Sequence, residues 1–197
     1  DVALYVSDLD LTDLALSIVS KRDQFFPPRQ KEDIWSWFNL PAGYDETRLL
    51  KDVFLGGEKD MLLACATLME ASSASDQKTA ALFRHWAELE PDLSLVENLC
   101  DKLLAKETAK TNPLQSKFYA QHSSLPTRKL IDAHPGAFDH LESFMKRVEA
   151  VRPHLFGLKD ARKTLALHRF AQELLPPYME RKAELGLLDF DDMIRRA

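Results

Sequence analysis

Apolar residues recur every three to four positions along most of this chain, the period of helices that bury one face. Three segments carry it plainly. Met61, Leu62, Cys65, Leu68 and Met69 share one face. Leu82, Phe83, Trp86 and Leu89 share a second, and Val96, Leu99, Cys100, Leu103 and Leu104 a third. Only the turn at Ser72–Ser75 and Pro91 separate these segments, and connections that short predict an antiparallel bundle. Ahead of them, the pattern predicts a helix over 9–21, capped by Asp8 or Asp10. Short helices are predicted over 30–38 and 45–55, the second stopped by Gly56-Gly57.

Beyond the bundle the pattern fades. Residues 108–126 are polar and carry Pro113 and Pro126, so they read as a linker or loop. A short helix is predicted over 127–133. Pro135 then suits the first position of another, since that position needs no amide hydrogen. This helix presents Phe138, Leu141, Phe144, Met145 and Val148 and is predicted to end near Pro153. The last stripe, Leu167, Phe170, Ala171, Leu174, Leu175, Tyr178 and Met179, keeps phase across Pro176-Pro177. A proline inside a helix removes a donor and clashes with the preceding turn, so a kink or two helices meeting end to end is expected there. Gly186 ends the element. The expected fold class is all-α, a helical bundle-like domain or two helical sub-bundles, with no convincing strand.

Composition changes this picture little. Hydrophobic residues make up 45% and charged residues 29% of 197 residues, with 6 glycines, an ordinary globular balance poor in sheet formers. No apolar run approaches the ~20 residues of a membrane-spanning helix. Cys65 and Cys100 lie on helical faces and read as two buried thiols rather than a disulfide.

Charge changes it more. Residues 1–110 carry 12 basic and 20 acidic side chains, a net −8, whereas residues 111–197 carry 14 and 11, a net +3. This divides the chain into an acidic helical bundle, 1–110, and a more basic helical part, 111–197. A phosphate-contacting surface would fall in the second part. The candidates are Arg128, Lys129, Arg162, Lys163, Arg169 and Lys182, within a positive stretch that also holds Lys146, Arg147, Arg152 and Lys159. Tyr119 and His122 are further candidates. Trp86 lies on an apolar stripe and belongs in the core. Trp35 and Trp37 point to different sides of a short helix, so one of them is free to meet a partner.

Catalytic signatures are missing from the sequence. Gly56-Gly57-Glu58-Lys59 lacks the spacing and the hydroxyl of a phosphate-binding loop. No Cys-x-x-Cys pair suggests zinc, and no nucleophile sits in a Gly-x-Ser-x-Gly frame. No catalytic residue, metal ligand or cofactor is therefore assigned to this chain. The cluster Asp189, Asp191 and Asp192 has the chemistry of a magnesium or calcium site. Adjacent carboxylates at a helix start diverge, however, and a capping role fits them better, with Phe190 anchoring the turn.

One stretch carries a resemblance. Tyr178, Lys182 and Gly186, followed by Leu188-Asp189-Phe190-Asp191-Asp192, resemble a segment of superfamily-one DNA helicases, the UvrD, RecB and AddA group. Residues 127–135 and 159–186 are similar to the alphaproteobacterial type of AddA. The match extends over about 112–197, and earlier residues share only helical character and position. The resemblance implies a helical insertion within the first motor domain of a bacterial, cytoplasmic, nucleoid-associated double-strand-break repair helicase. Such an insertion is non-catalytic, and ATP and magnesium belong to the parent motor. Its implied partners are DNA, bound weakly and salt-sensitively, the other domains of the parent, and an AddB-like subunit, with no membrane. The chain begins at Asp1 and stops at Ala197, before any Asp-Glu strand, so it is expected to be a piece of a larger motor.

Overall fold

The structure is a computed structural model that describes residues 2–5, 7–104 and 125–187. The fold is all-α. Eight helices are found among the described residues: α1 (Asp8–Ser20), α2 (Lys31–Trp37), α3 (Glu46–Val53), α4 (Glu58–Glu70), α5 (Ala74–Glu88), α6 (Leu93–Leu103), α7 (Arg128–Ala133) and α8 (Asp139–Glu184). They belong to two packing units, one formed by residues 1–43 with 157–197 and the other by residues 44–156. The charge boundary at 110/111 falls outside the described residues and does not coincide with either packing boundary.

Local chemistry explains several helix limits. Asp45 accepts from the Arg48 amide at 2.9 Å, and Asp92 from the Leu95 amide at 2.7 Å, so α3 and α6 begin on side-chain caps. α2 begins where the Gln30 amide donates to the Asp33 carboxylate at 3.1 Å. For α1 the cap is Ser7 rather than Asp8 or Asp10, and its hydroxyl donates to Asp10 at 2.5 Å. At the far end of α8, Gly186 takes φ +64. The Gly186 amide donates to the Ala183 carbonyl and the Leu187 amide to the Lys182 carbonyl. That pairing is a left-handed stop that favours glycine.

Two expectations about prolines are corrected, and for Pro176-Pro177 one of the two alternatives is excluded. Pro135 does not open a helix, because Gly136 beside it takes φ +78, outside the helical region, and α8 starts only at Asp139. The helix does not end near Pro153. Nor does Pro176-Pro177 divide it into two elements, since α8 is assigned continuously to Glu184. These prolines give no N–H to the carbonyls four residues back, at a cost of about 3 kcal/mol each in a helix interior. Burial opposes that cost. Val151, Leu155 and Leu158 flank Pro153 in the core, and Leu175 is buried just before the proline pair. At ~1.5–3 kcal/mol per buried aliphatic side chain, this burial is of the same order as the lost bonds.

In the first unit α1 and the 3-10 turn after it (Arg22–Phe25) pack against the later part of α8 through Ile18, Phe25, Ala171 and Leu175, with Leu14, Val19, Leu167, Phe170 and Leu174 around them. In the second, α4 and α5 run along one another, and Phe83, Val96, Leu99, Leu103 and Phe144 are fully buried. Cys65 and Cys100 are buried free thiols, and burial pushes each up to about 11, which leaves them protonated and unreactive.

No helix among the described residues is long and apolar enough to cross a membrane. The Leu188–Asp192 motif, with Asp189, Phe190, Asp191 and Asp192, lies outside the described residues, as do Tyr119 and His122.

Candidate functional site

The first unit presents the most distinctive surface chemistry. On α2, Trp35 and Trp37 are two positions apart, about 200° around a helix. Trp35 turns into the core at 5% exposure, while Trp37 stays 50% exposed. The Trp37 ring lies 5.8 Å from the His168 ring, centroid to centroid, and the Arg29 guanidinium sits over it, also at 5.8 Å. Phe25 meets His168 edge-on at 5.2 Å, and its neighbour Phe26 is half exposed. The site is therefore a half-exposed indole in contact with a tilted, buried imidazole and with a cation over its ring.

His168 is 6% exposed, and its Nδ1 has no hydrogen-bond partner among the described residues. Burial lowers its pKa from the ordinary value, and the nearby Arg29 charge lowers it further. The neutral imidazole is the form that packs. Because the folded-state pKa is depressed, the stability this provides is complete above the unfolded value of about 6.5 and is lost as pH falls below it. Thermal melts of wild type are expected to fall more steeply between pH 7 and pH 5 than those of His168→Phe. Parallel pH profiles would remove His168 as the cause.

α8 carries the basic candidates of this unit. Arg162 and Arg169 are seven residues apart and so within about 20° of one another around the helix. Arg169 and Lys163 are exposed and Arg162 is half-buried. Arg162 and Arg169 are also engaged with other groups of the protein. Lys163 lies 3.7 Å from Asp160, an exposed pair of little energetic weight. Lys182 is 8% exposed, which leaves its ammonium poorly placed to reach a phosphate. Tyr178 is half-buried on the same helix.

Arg128 and Lys129 belong to the other unit, at the exposed start of α7, with Arg128 3.9 Å from Asp132. Counted by packing unit, the sequence's charge contrast disappears. The first unit carries 12 basic and 14 acidic residues, a net −2, and the second 14 and 17, a net −3. Any attraction for phosphate is therefore local to particular faces.

The second unit holds a groove of about 370 Å³. Leu62, Trp86, Leu95, Leu99 and Phe144 line it, together with the charged Glu58, Lys59, Glu88 and Glu90. Its size falls in the range of ligand or peptide pockets. No group of three or more His, Cys, Asp or Glu able to hold a metal is found among the described residues.

Two polar clusters escaped the sequence reading. Asp76, 2% exposed, accepts from the Ser72 and Ser73 hydroxyls and from both the amide and hydroxyl of Thr127. Arg147 donates to the Val53 carbonyl and to Glu58. Ser73-x-x-Asp76 is a legible capping signal, but its partner lies 51 residues away. The chain matches no family model, no curated protein and no solved structure.

Proposed function

We propose that this chain is a non-catalytic helical insertion of an ATP-dependent DNA helicase of the AddA/UvrD type, and that it helps to engage or guide DNA during unwinding in double-strand-break repair. One observation carries the reading: the helix closed by Tyr178, Lys182 and Gly186 of the helicase-like segment is the helix that exposes Lys163 and Arg169. The domain supplies surface and geometry, while ATP, magnesium and any nuclease activity belong to the parent motor.

The test is a fluorescence-anisotropy titration of a forked DNA at low and at physiological salt. Binding through a few phosphates is expected to weaken by about tenfold or more over that range. Arg162→Ala/Arg169→Ala is expected to reduce both the affinity and the salt slope. The second reading is a scaffold that docks an AddB-like subunit or another motor domain without touching DNA. The groove, lined by apolar and charged side chains, favours it. Absence of DNA binding even at low salt would overturn the first reading and leave the second.

A further inference from the structure

We propose that Trp37, with Arg29 stacked beside it, is a platform for an unpaired nucleobase, which makes this surface selective for single-stranded over duplex DNA. The proposal rests on the DNA-engaging reading above and names the form of DNA taken.

Three observations support it. First, half of the Trp37 surface remains in water, although burying an indole is strongly favourable and the other two tryptophans, Trp35 and Trp86, are 5% and 4% exposed. Second, the ring is held in place. His168 packs against it at a tilt of 58°, and His168 is itself fixed by Phe25. A fixed ring loses little freedom when a second flat group stacks on it. Third, the neighbouring charge is suited to nucleic acid. The Arg29 guanidinium lies over the indole, where it can meet a phosphate or the face of a base, and Arg169, next to His168 in sequence, is exposed on α8. The Asp33 carboxylate, one turn before Trp37, accepts from the Gln30 amide and keeps its negative charge, so the attraction for phosphate here is confined to the Arg29 side of the ring.

An aromatic platform beside cations is the general device for holding single strands without sequence preference. In a duplex the base faces are covered by their neighbours, so only an unpaired base can use Trp37. Because the other tryptophans are buried, quenching of intrinsic fluorescence reads this site directly.

The experiment titrates the whole chain at low salt with an oligothymidylate of about 15 nucleotides and with a duplex of the same length. The oligothymidylate is expected to quench tryptophan emission. Stacking of one base predicts that Trp37→Ala weakens its binding about tenfold and leaves duplex binding within about twofold, while Trp37→Phe keeps most of the affinity. Circular dichroism of both variants checks that they fold. If the fork and oligothymidylate bind with the expected salt dependence but Trp37→Ala leaves the oligothymidylate affinity unchanged, the platform is overturned and the DNA-engaging reading survives. If neither DNA binds at low salt, both are overturned, and the exposed indole belongs to a protein interface.

Discussion

Asp76→Ala is expected to lower the stability of the chain by about 3–4 kcal/mol, measured as a shift of the urea unfolding midpoint. Among the described residues no cation pairs with this buried carboxylate, and four donors hold it instead. The Thr127 amide donates to Oδ1 at 2.9 Å. The Ser72, Ser73 and Thr127 hydroxyls donate to Oδ2 at 2.7, 2.8 and 2.7 Å. Alanine leaves those donors facing a void. Bonds to a charged acceptor contribute ~1.5–3 kcal/mol each, and orphaned buried donors add their desolvation cost, partly relieved where the hydroxyls rotate. The Thr127 amide cannot rotate and bears the fixed part of the loss.

Asparagine separates charge from geometry at the same site. Its oxygen can still accept from the Thr127 amide, and its amino group can donate to hydroxyls that turn to receive it. Asp76→Asn should therefore cost about 1–2 kcal/mol, less than alanine. The pH dependence has a definite sign. Burial alone would raise the Asp76 pKa, but the bonds from Thr127, Ser72 and Ser73 outweigh it and the net shift is downward. A depressed carboxylate contributes stability that is present above the unfolded value of about 3.9 and is lost as pH falls below it through the folded value. The gap between wild type and Asp76→Asn should thus close in acid. A gap unchanged from neutral pH to pH 3 would mean that the carboxylate is not held ionised by this cage.

The sequence made the helices legible because their signals are local. Period, caps such as Asp45 and Asp92, and the stop at Gly186 all lie within a few residues of what they determine. The prolines are less legible for the complementary reason. Pro153 predicts a helix end and Pro176-Pro177 a kink or a junction of two helices, yet α8 runs on as one helix, and the burial that accompanies it is a property of packing. Trp35 and Trp37 show the same limit. Their spacing fixes that they diverge, but only the position of α2 in the first unit decides which is buried. Charge was the least legible feature. A lysine or arginine reads alike in sequence whether it faces water, as Lys163 does, or is largely buried, as Lys182 is.

Arg147→Met tests that last distinction and is expected to cost about 2–3 kcal/mol. The sequence places Arg147 in the positive stretch, whereas the fold uses it internally. Its Nε donates to the Val53 carbonyl at 2.9 Å and its Nη2 to Glu58 Oε1 at 2.7 Å, with the guanidinium 5.5 Å from the Phe144 ring centroid. The Glu58 carboxylate in turn accepts from the Leu55 and Gly56 amides at 3.0 and 2.9 Å, which pins the turn between α3 and α4. The side chains are 26% and 10% exposed, so the pair is poorly screened, and removing one partner leaves a carboxylate largely shut away from water. Methionine keeps the apolar stem over Phe144 and removes only the charge and the fork. Lysine restores the charge but can reach only one of the two acceptors well, so Arg147→Lys should fall between wild type and methionine. A double-mutant cycle with Glu58→Gln should return a coupling of about 1–2 kcal/mol; a coupling near zero would show the pair to be incidental. In the DNA titration, Arg147→Met should leave affinity unchanged while Arg162→Ala/Arg169→Ala lowers it. That contrast separates arginines that hold the fold from arginines that meet phosphate, which net charge along the sequence cannot do.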